Sequence, residues 1–174
     1  MGSQWTQGET PPLKRHPALR VLSREHMGGL IQARNLTMAA DGDLAARTRA
    51  VEGFVNAWRT EIREHFGDEE RLLLPLAGSP ELRARLLSEH RDLRAFADRC
   101  ETEPRAAAED ADFVRRLGSM LHDHIRWEER IFFEAVQREQ PEALDRLTRA
   151  ASQIEVNRPA SRARTRLEWP ESRG

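Results

Sequence analysis

The feature that most constrains this chain is a motif that occurs twice, in which a His precedes a Glu by four residues and a second Glu follows directly. The first copy spans His65 to Glu70, and the second spans His124 to Glu129. On a helix, residues i and i+4 lie on one face about a turn apart, so each imidazole points the same way as its carboxylate. The repeated spacing predicts two helices that carry matching polar groups.

Both motifs interrupt an apolar seam that follows a seven-residue repeat. The seam positions, taken in order along the two helices, are Val51, Val55, Trp58, Ile62, His65, Glu69, Leu72 and Leu76, and then Val114, Leu117, Leu121, His124, Glu128, Ile131 and Ala135. Such seams face other helices, where an ionised carboxylate is costly unless it is paired or bound to a metal. The two interruptions predict one shared, buried polar site.

The remaining sequence predicts an all-α fold, an antiparallel up-down-up-down four-helix bundle with a short fifth C-terminal helix. Its 174 residues allow one sizeable domain, and the high charged content of 33 % with few β-branched runs favours amphipathic helices over strands. The predicted division is a flexible leader (1–16), the bundle domain (17–156) and an Arg-rich tail (157–174). Pro and Gly punctuation places the helices at about 17–40, 44–74, 80–101 and 106–138, with a fifth from residue 141.

Charge and cysteine content exclude several classes of protein. A net charge of −1 gives no field that would attract nucleic acid or a membrane surface. Cys100 is the only cysteine, so no internal disulfide forms, and the first residues lack the basic and apolar regions of a signal peptide. We expect a cytoplasmic protein that is a monomer or a homodimer, with no nucleic-acid or membrane partner.

Two further histidines complete a candidate metal site, because His26 and His90 occupy seam positions on helices one and three. Counted from the helix ends, all six residues fall within a slab roughly one to two turns thick. A lone His in a seam is more often a hydrogen-bonded core residue, but four at one level with two carboxylates indicate metal binding. A single zinc ion takes about four ligands, whereas six from four helices suit a pair of metals, iron above all, with manganese or zinc as substitutes.

The ordered pattern of His, His-x-x-x-Glu, His and His-x-x-x-Glu resembles the hemerythrin-like, HHE cation-binding family over roughly residues 17–140. The Glu-x-x-His motif of ferritin-like di-iron bundles is absent, since no His follows a Glu by three residues. The resemblance implies a non-haem di-iron centre with an oxo or hydroxo bridge in a four-helix bundle. His26 and His65 would serve one iron, His90 and His124 the other, and Glu69 and Glu128 would bridge both.

One position departs from that family. Oxygen-carrying members have a fifth His four residues after the His of helix three, whereas this chain has Arg94 there. The departure opens a position on the second iron and argues against reversible O₂ carriage. We expect Arg94 to pair with Glu61 or to steady a bound oxyanion.

Two classes of function stay open at this point. The first is a module that binds O₂, NO or peroxide, or iron itself, for oxygen or peroxide handling or iron binding. The second is an enzyme, a di-iron oxidase, oxygenase or peroxide-disproportionating catalyst acting on a small substrate, for which the sequence assigns no catalytic residue. Glu70 and Glu129 are expected to lie outside the ligand set, unless a one-residue slip brings either in. His16 and His122 are predicted not to be ligands.

Overall fold

The computed structural model describes residues 14–157, and within that range the chain is helical, with no strand. Helix α1 (Pro17–Ala40) begins where the His16 side chain accepts a hydrogen bond from the Ala18 backbone amide. Pro17 suits the first helical turn because proline has no amide proton, and an amide proton at that position would have no partner within the helix. The predicted leader up to residue 13 and the predicted tail from residue 158 lie outside the described residues.

The second long segment is one helical rod in which the hydrogen-bonding pattern changes several times. It comprises α2 (Leu44–Ala57), a π-helical turn (Trp58–Ile62), α3 (Arg63–Asp68), a second π-helical turn (Glu69–Leu73) and a 3₁₀ turn (Leu74–Leu76). Asp43 caps its start by accepting a hydrogen bond from the Ala46 amide at 2.7 Å. The bounds of this rod agree with the prediction.

The third and fourth long segments are separated by a short helix that the sequence analysis did not predict. Helix α4 (Pro80–Thr102) is followed by α5 (Pro104–Glu109) and α6 (Ala111–Trp127), then by a π-helical turn (Glu128–Phe132), α7 (Phe133–Glu139) and α8 (Pro141–Asn157). The prediction of one uninterrupted helix from about residue 106 is therefore wrong. Asp110 breaks it, because its carboxylate accepts from the Phe113 amide at 2.9 Å and caps a new helix.

The π-helical turns change which apolar residues face the core. Two of them begin at Glu69 and Glu128, and a π turn contains one more residue per turn than an α-helix. The heptad count predicted core positions at Leu72 and Ile131, but Ile131 is 50 % exposed and Phe132 is completely buried. Leu73, at 2 % exposure, is likewise more buried than Leu72. The predicted seam is thus displaced by one residue after Glu69 and after Glu128.

Two apolar clusters enclose the level at which the His and Glu residues lie. One contains Phe54, Trp58 and Leu117, and the other contains Leu86, Phe132 and Leu144. Helix α1 packs against α2, α6 and α8. Among the described residues, no helix has the length and apolar character needed to cross a membrane.

Candidate metal centre

The structure brings all six predicted site residues together in the interior. Glu69 and Glu128 begin π-helical turns, and the four imidazoles come from four different helices: His26 on α1, His65 on α3, His90 on α4 and His124 on α6. All six side chains are buried, and both carboxylates are completely inaccessible to solvent. Their donor atoms form two groups, in each of which the atoms lie within 4.8 Å of one another.

The first group joins His26 and His65 to one oxygen of each carboxylate. His26 Nε2 lies 3.1 Å from Glu128 Oε2 and 3.5 Å from Glu69 Oε1. His65 Nε2 lies 3.1 Å from the same Glu69 oxygen. Two imidazole nitrogens and two carboxylate oxygens thus face a common point.

The second group uses the other oxygen of each carboxylate. His90 Nε2 lies 3.4 Å from Glu69 Oε2 and 3.5 Å from Glu128 Oε1. His124 Nε2 lies 3.1 Å from Glu128 Oε1. Each carboxylate therefore presents one oxygen to each group, the arrangement that a bridge between two cations requires.

The nitrogen and oxygen atoms of this cluster are better arranged to bind a cation than to form hydrogen bonds with one another. The four Nε2 atoms and the four carboxylate oxygens are buried, and none makes an aligned hydrogen bond within the described residues. Buried polar atoms are almost always hydrogen-bonded, because their desolvation is otherwise uncompensated. Imidazole nitrogen and carboxylate oxygen are ligands of iron, manganese and zinc, so the cluster could hold metal.

Each imidazole is oriented by a carboxylate outside the cluster, to which its Nδ1–H group donates. The four pairs, with their Nδ1–O distances, are His26 with Glu129 (2.5 Å), His65 with Glu25 (2.9 Å), His90 with Glu70 (2.8 Å) and His124 with Glu89 (2.8 Å). Such a bond turns the Nε2 atom of each ring toward the centre and makes it a stronger donor to a cation.

Glu25 and Glu89 were not predicted to belong to the site, although the sequence contains a signal for them. Each directly precedes a site histidine, in the dipeptides Glu25-His26 and Glu89-His90. Each reaches the histidine of the next long segment rather than its own neighbour. Glu70 and Glu129 lie outside the cluster as predicted, and no one-residue slip brings either into it.

The outer carboxylates are themselves held by other side chains. Glu129 accepts a hydrogen bond from Ser23 Oγ at 2.7 Å and forms an ion pair with Arg15, a residue of the predicted leader. Glu89 accepts from Arg85 Nε at 2.7 Å.

Arg94 on α4 also holds one of the outer carboxylates, that of Glu70. Arg94 was predicted to pair with Glu61 or to steady a bound oxyanion, and in the structure its Nη1 atom donates a hydrogen bond to Glu70 at 2.8 Å. Arg94 lies one turn beyond His90, so its guanidinium reaches the carboxylate that already holds that imidazole. His16 and His122 do not join the cluster: His16 caps α1, and His122 is exposed.

The electrostatic balance of the metal-free cluster favours protons on the imidazoles. Burial lowers the pKa of His65, but the facing Glu69 carboxylate and the bond to Glu25 outweigh it and raise the pKa to about 9. Burial also lowers the pKa of His90, but the facing Glu128 and Glu69 carboxylates outweigh it and raise the pKa to about 10. The pKa values of His26 and His124 are raised for the same reason. Burial and the charge of Glu128 raise the pKa of Glu69, but His65 and His26 lower it to about 2.

A small cavity of about 10 Å³ lies beside the first group of donors. His26, His65, Glu25 and Glu61 contribute its polar lining, and the rest of its wall is apolar. Gly29 is part of that wall, and a Cβ atom there would lie 2.6 Å from Ile125 Cδ1. A volume of this size has room for about one water molecule. The glycine thus provides both close packing against Ile125 and space beside the centre.

Comparison with known proteins agrees with the class of site that this geometry defines. A family model described as the hemerythrin HHE cation-binding domain matches residues 18–136 and, in a second overlapping match, residues 82–158. The chain belongs to the hemerythrin HHE cation-binding domain family. Comparisons with curated proteins and with solved structures returned no match. Membership in the family implies cation binding, and the His/Glu cluster is where the structure could hold the cation.

Proposed function

We propose that this protein binds two iron ions in a non-haem di-iron centre and uses them to bind O₂, NO or peroxide, or to hold iron itself. The observation that carries the proposal is the set of eight buried donor atoms, which divides into two groups sharing both carboxylates. One cation would leave half of these atoms without a partner. Manganese or zinc could occupy the same donors, since both accept imidazole and carboxylate ligands.

The side chains would divide the work of holding the metals. His26 and His65 would hold one ion, His90 and His124 the other, and Glu69 and Glu128 would bridge the two. The four outer carboxylates would keep each imidazole in the tautomer that leaves Nε2 available. The two apolar clusters would exclude bulk water from both sides of the centre. When bound, iron would supply binding of a small ligand and one-electron redox chemistry.

The cavity beside the centre favours a small ligand over an organic substrate. Its volume of about 10 Å³ is far below the several hundred cubic ångströms that substrate pockets usually enclose. This supports a binding or scavenging role in preference to oxidation of an organic molecule. We place the centre in an antiparallel up-down-up-down bundle in a cytoplasmic monomer or homodimer, without nucleic-acid or membrane partners.

The proposal is tested by metal analysis of protein purified from iron-supplemented cells, with absorption spectra before and after reduction and after re-exposure to air. We expect about two irons per chain and ferric bands that vanish on reduction and return in air. Return through a long-lived oxygenated form would indicate a carrier, and direct return would indicate a scavenger or an oxidase. A single zinc ion, or a folded protein that binds no metal, would contradict the di-iron proposal.

A further inference from the structure

The centre is built from two halves with matching residues, one from the first two long helical segments and one from the last two. A residue near the centre that is present in only one half is therefore informative. The matching pairs are Glu25-His26 with Glu89-His90, His65 with His124, Glu69 with Glu128, and Glu70 with Glu129. The hydrogen bonds match as well, because Glu25 holds His65 as Glu89 holds His124, and Glu70 holds His90 as Glu129 holds His26. Both bridging glutamates begin a π-helical turn.

Glu61 breaks this correspondence. It lies four residues before His65, and the residue four before His124 is Met120. Glu61 is only 3 % exposed, and it lines the small cavity together with His26 and His65. Its carboxylate therefore adds an acidic group to the wall of the cavity, beside the first group of donor atoms.

The backbone and the cavity break the correspondence at the same place. Glu61 lies in the π-helical turn Trp58–Ile62, whereas α6 continues as a regular α-helix through Met120. Single π-helical turns occur frequently at functional sites because they redirect the side chains they carry. Gly29, three residues after His26, leaves room for the cavity, whereas its counterpart Leu93 is a buried core residue.

We propose that Glu61 is a further metal-facing carboxylate that serves the ion held by His26 and His65 and has no equivalent at the other ion. The inference rests on the proposed function, because it needs a metal at the first group of donors. Carboxylate oxygen is a suitable ligand for every metal considered for this centre. The consequence is two inequivalent metal positions in an otherwise symmetric set of ligands.

The test is a titration of the metal-free full-length protein with Co²⁺ in competition with a chelator, followed through the visible absorption of bound cobalt. The variants are Glu61→Gln, which keeps the shape of the side chain and removes its charge, and Glu61→Asp, which keeps the charge. Glu64→Gln is the matched control, since Glu64 is exposed in the following turn of the same rod. Thermal unfolding of each metal-free variant is measured in parallel.

We expect wild type and Glu64→Gln to bind two Co²⁺ ions with separate affinities. Glu61→Gln should weaken one of the two steps by about 10-fold or more, alter the absorption of that ion and leave the other step unchanged. The Co²⁺ affinity of Glu61→Asp at that step should lie between those of wild type and Glu61→Gln. Identical binding and absorption in wild type and Glu61→Gln would overturn the inference. So would a Glu61→Gln protein that unfolds without metal, because Glu61 would then serve folding. Failure of wild type to bind two ions would instead contradict the proposed di-iron centre.

Discussion

Each imidazole of the centre has two nitrogens with different tasks. The Nδ1–H group donates to an outer carboxylate, and Nε2 faces the shared Glu69 and Glu128 oxygens. Because the outer bond fixes the orientation of each ring, Nε2 points toward the centre before a cation arrives, and the cation has only to displace the proton on it. The four outer pairs therefore reduce the reorganisation that metal binding would otherwise require.

The proposed bridging role of the carboxylates predicts different effects for two kinds of substitution. Glu69→Ala should weaken the binding of both metals, because Glu69 presents one oxygen to each group of donors. His124→Ala should weaken mainly one metal, because its Nε2 belongs only to the second group. Metal content after equilibration at limiting free metal measures both effects. Loss of one metal only in Glu69→Ala would contradict the bridging arrangement.

The π-helical turns are the features of the helices that most affect packing. Because one extra residue is accommodated after Glu69 and after Glu128, the core side of the helix moves to Leu73 and Phe132. Phe132 lies in an apolar cluster with Trp127 and Phe133. The turns thus allow the carboxylates to face the centre while the following residues still fill the core.

This register predicts contrasting stabilities for two neighbouring substitutions. Phe132→Ala should destabilise the protein by about 3–5 kcal/mol, because it removes a fully buried aromatic ring. Ile131→Ala should change the stability by less than about 1 kcal/mol, because Ile131 is half exposed. Denaturant unfolding of the two metal-free variants measures the difference. A larger loss of stability in Ile131→Ala than in Phe132→Ala would indicate that Ile131 faces the core, as in a regular heptad, and would contradict the π-helical turn.

For the molecule as a whole, the centre links stability to pH and to metal. In the metal-free protein the folded-state pKa of His65, about 9, and that of His90, about 10, exceed the unfolded value of 6.5. Their protonation therefore stabilises the fold fully below pH 6.5, and this contribution is lost as the pH rises through 9 to 10. Glu69 has the opposite dependence: with its pKa lowered to about 2, its contribution is lost as the pH falls below 4.5 toward 2.

Metal should reverse the alkaline part of this dependence. A metal ion binds neutral imidazole and displaces the protons, so its stabilising effect should grow as the pH rises. We expect the melting temperature of the metal-free protein to fall between pH 6 and pH 9. We also expect the increase on adding Zn²⁺ to be larger at pH 8 than at pH 6. Thermal unfolding with and without Zn²⁺ in matched buffers measures both. A zinc-induced increase that shrinks with pH would contradict binding at these imidazoles.

The sequence by itself determined the helical segments and the six residues that meet at the centre. Helical periodicity and the spacing from His65 to Glu69 are local properties, so they can be read along the chain without knowing the packing. The same holds for the start of α1 at Pro17 and for the N-cap at Asp43. The break at Asp110 was missed because an Asp can equally well lie within a helix, and only the fold makes it a cap.

Only the tertiary structure decided which side chains pair and where the helical register shifts. Glu129 and His26 are 103 residues apart, and Arg94 reaches Glu70 rather than Glu61. Such pairings depend on which helices are neighbours and on the rotation of each about its axis, and neither is a local property of the sequence. The π-helical turns arise for the same reason, because a buried carboxylate and the core residues beside it must both be satisfied by one packed arrangement.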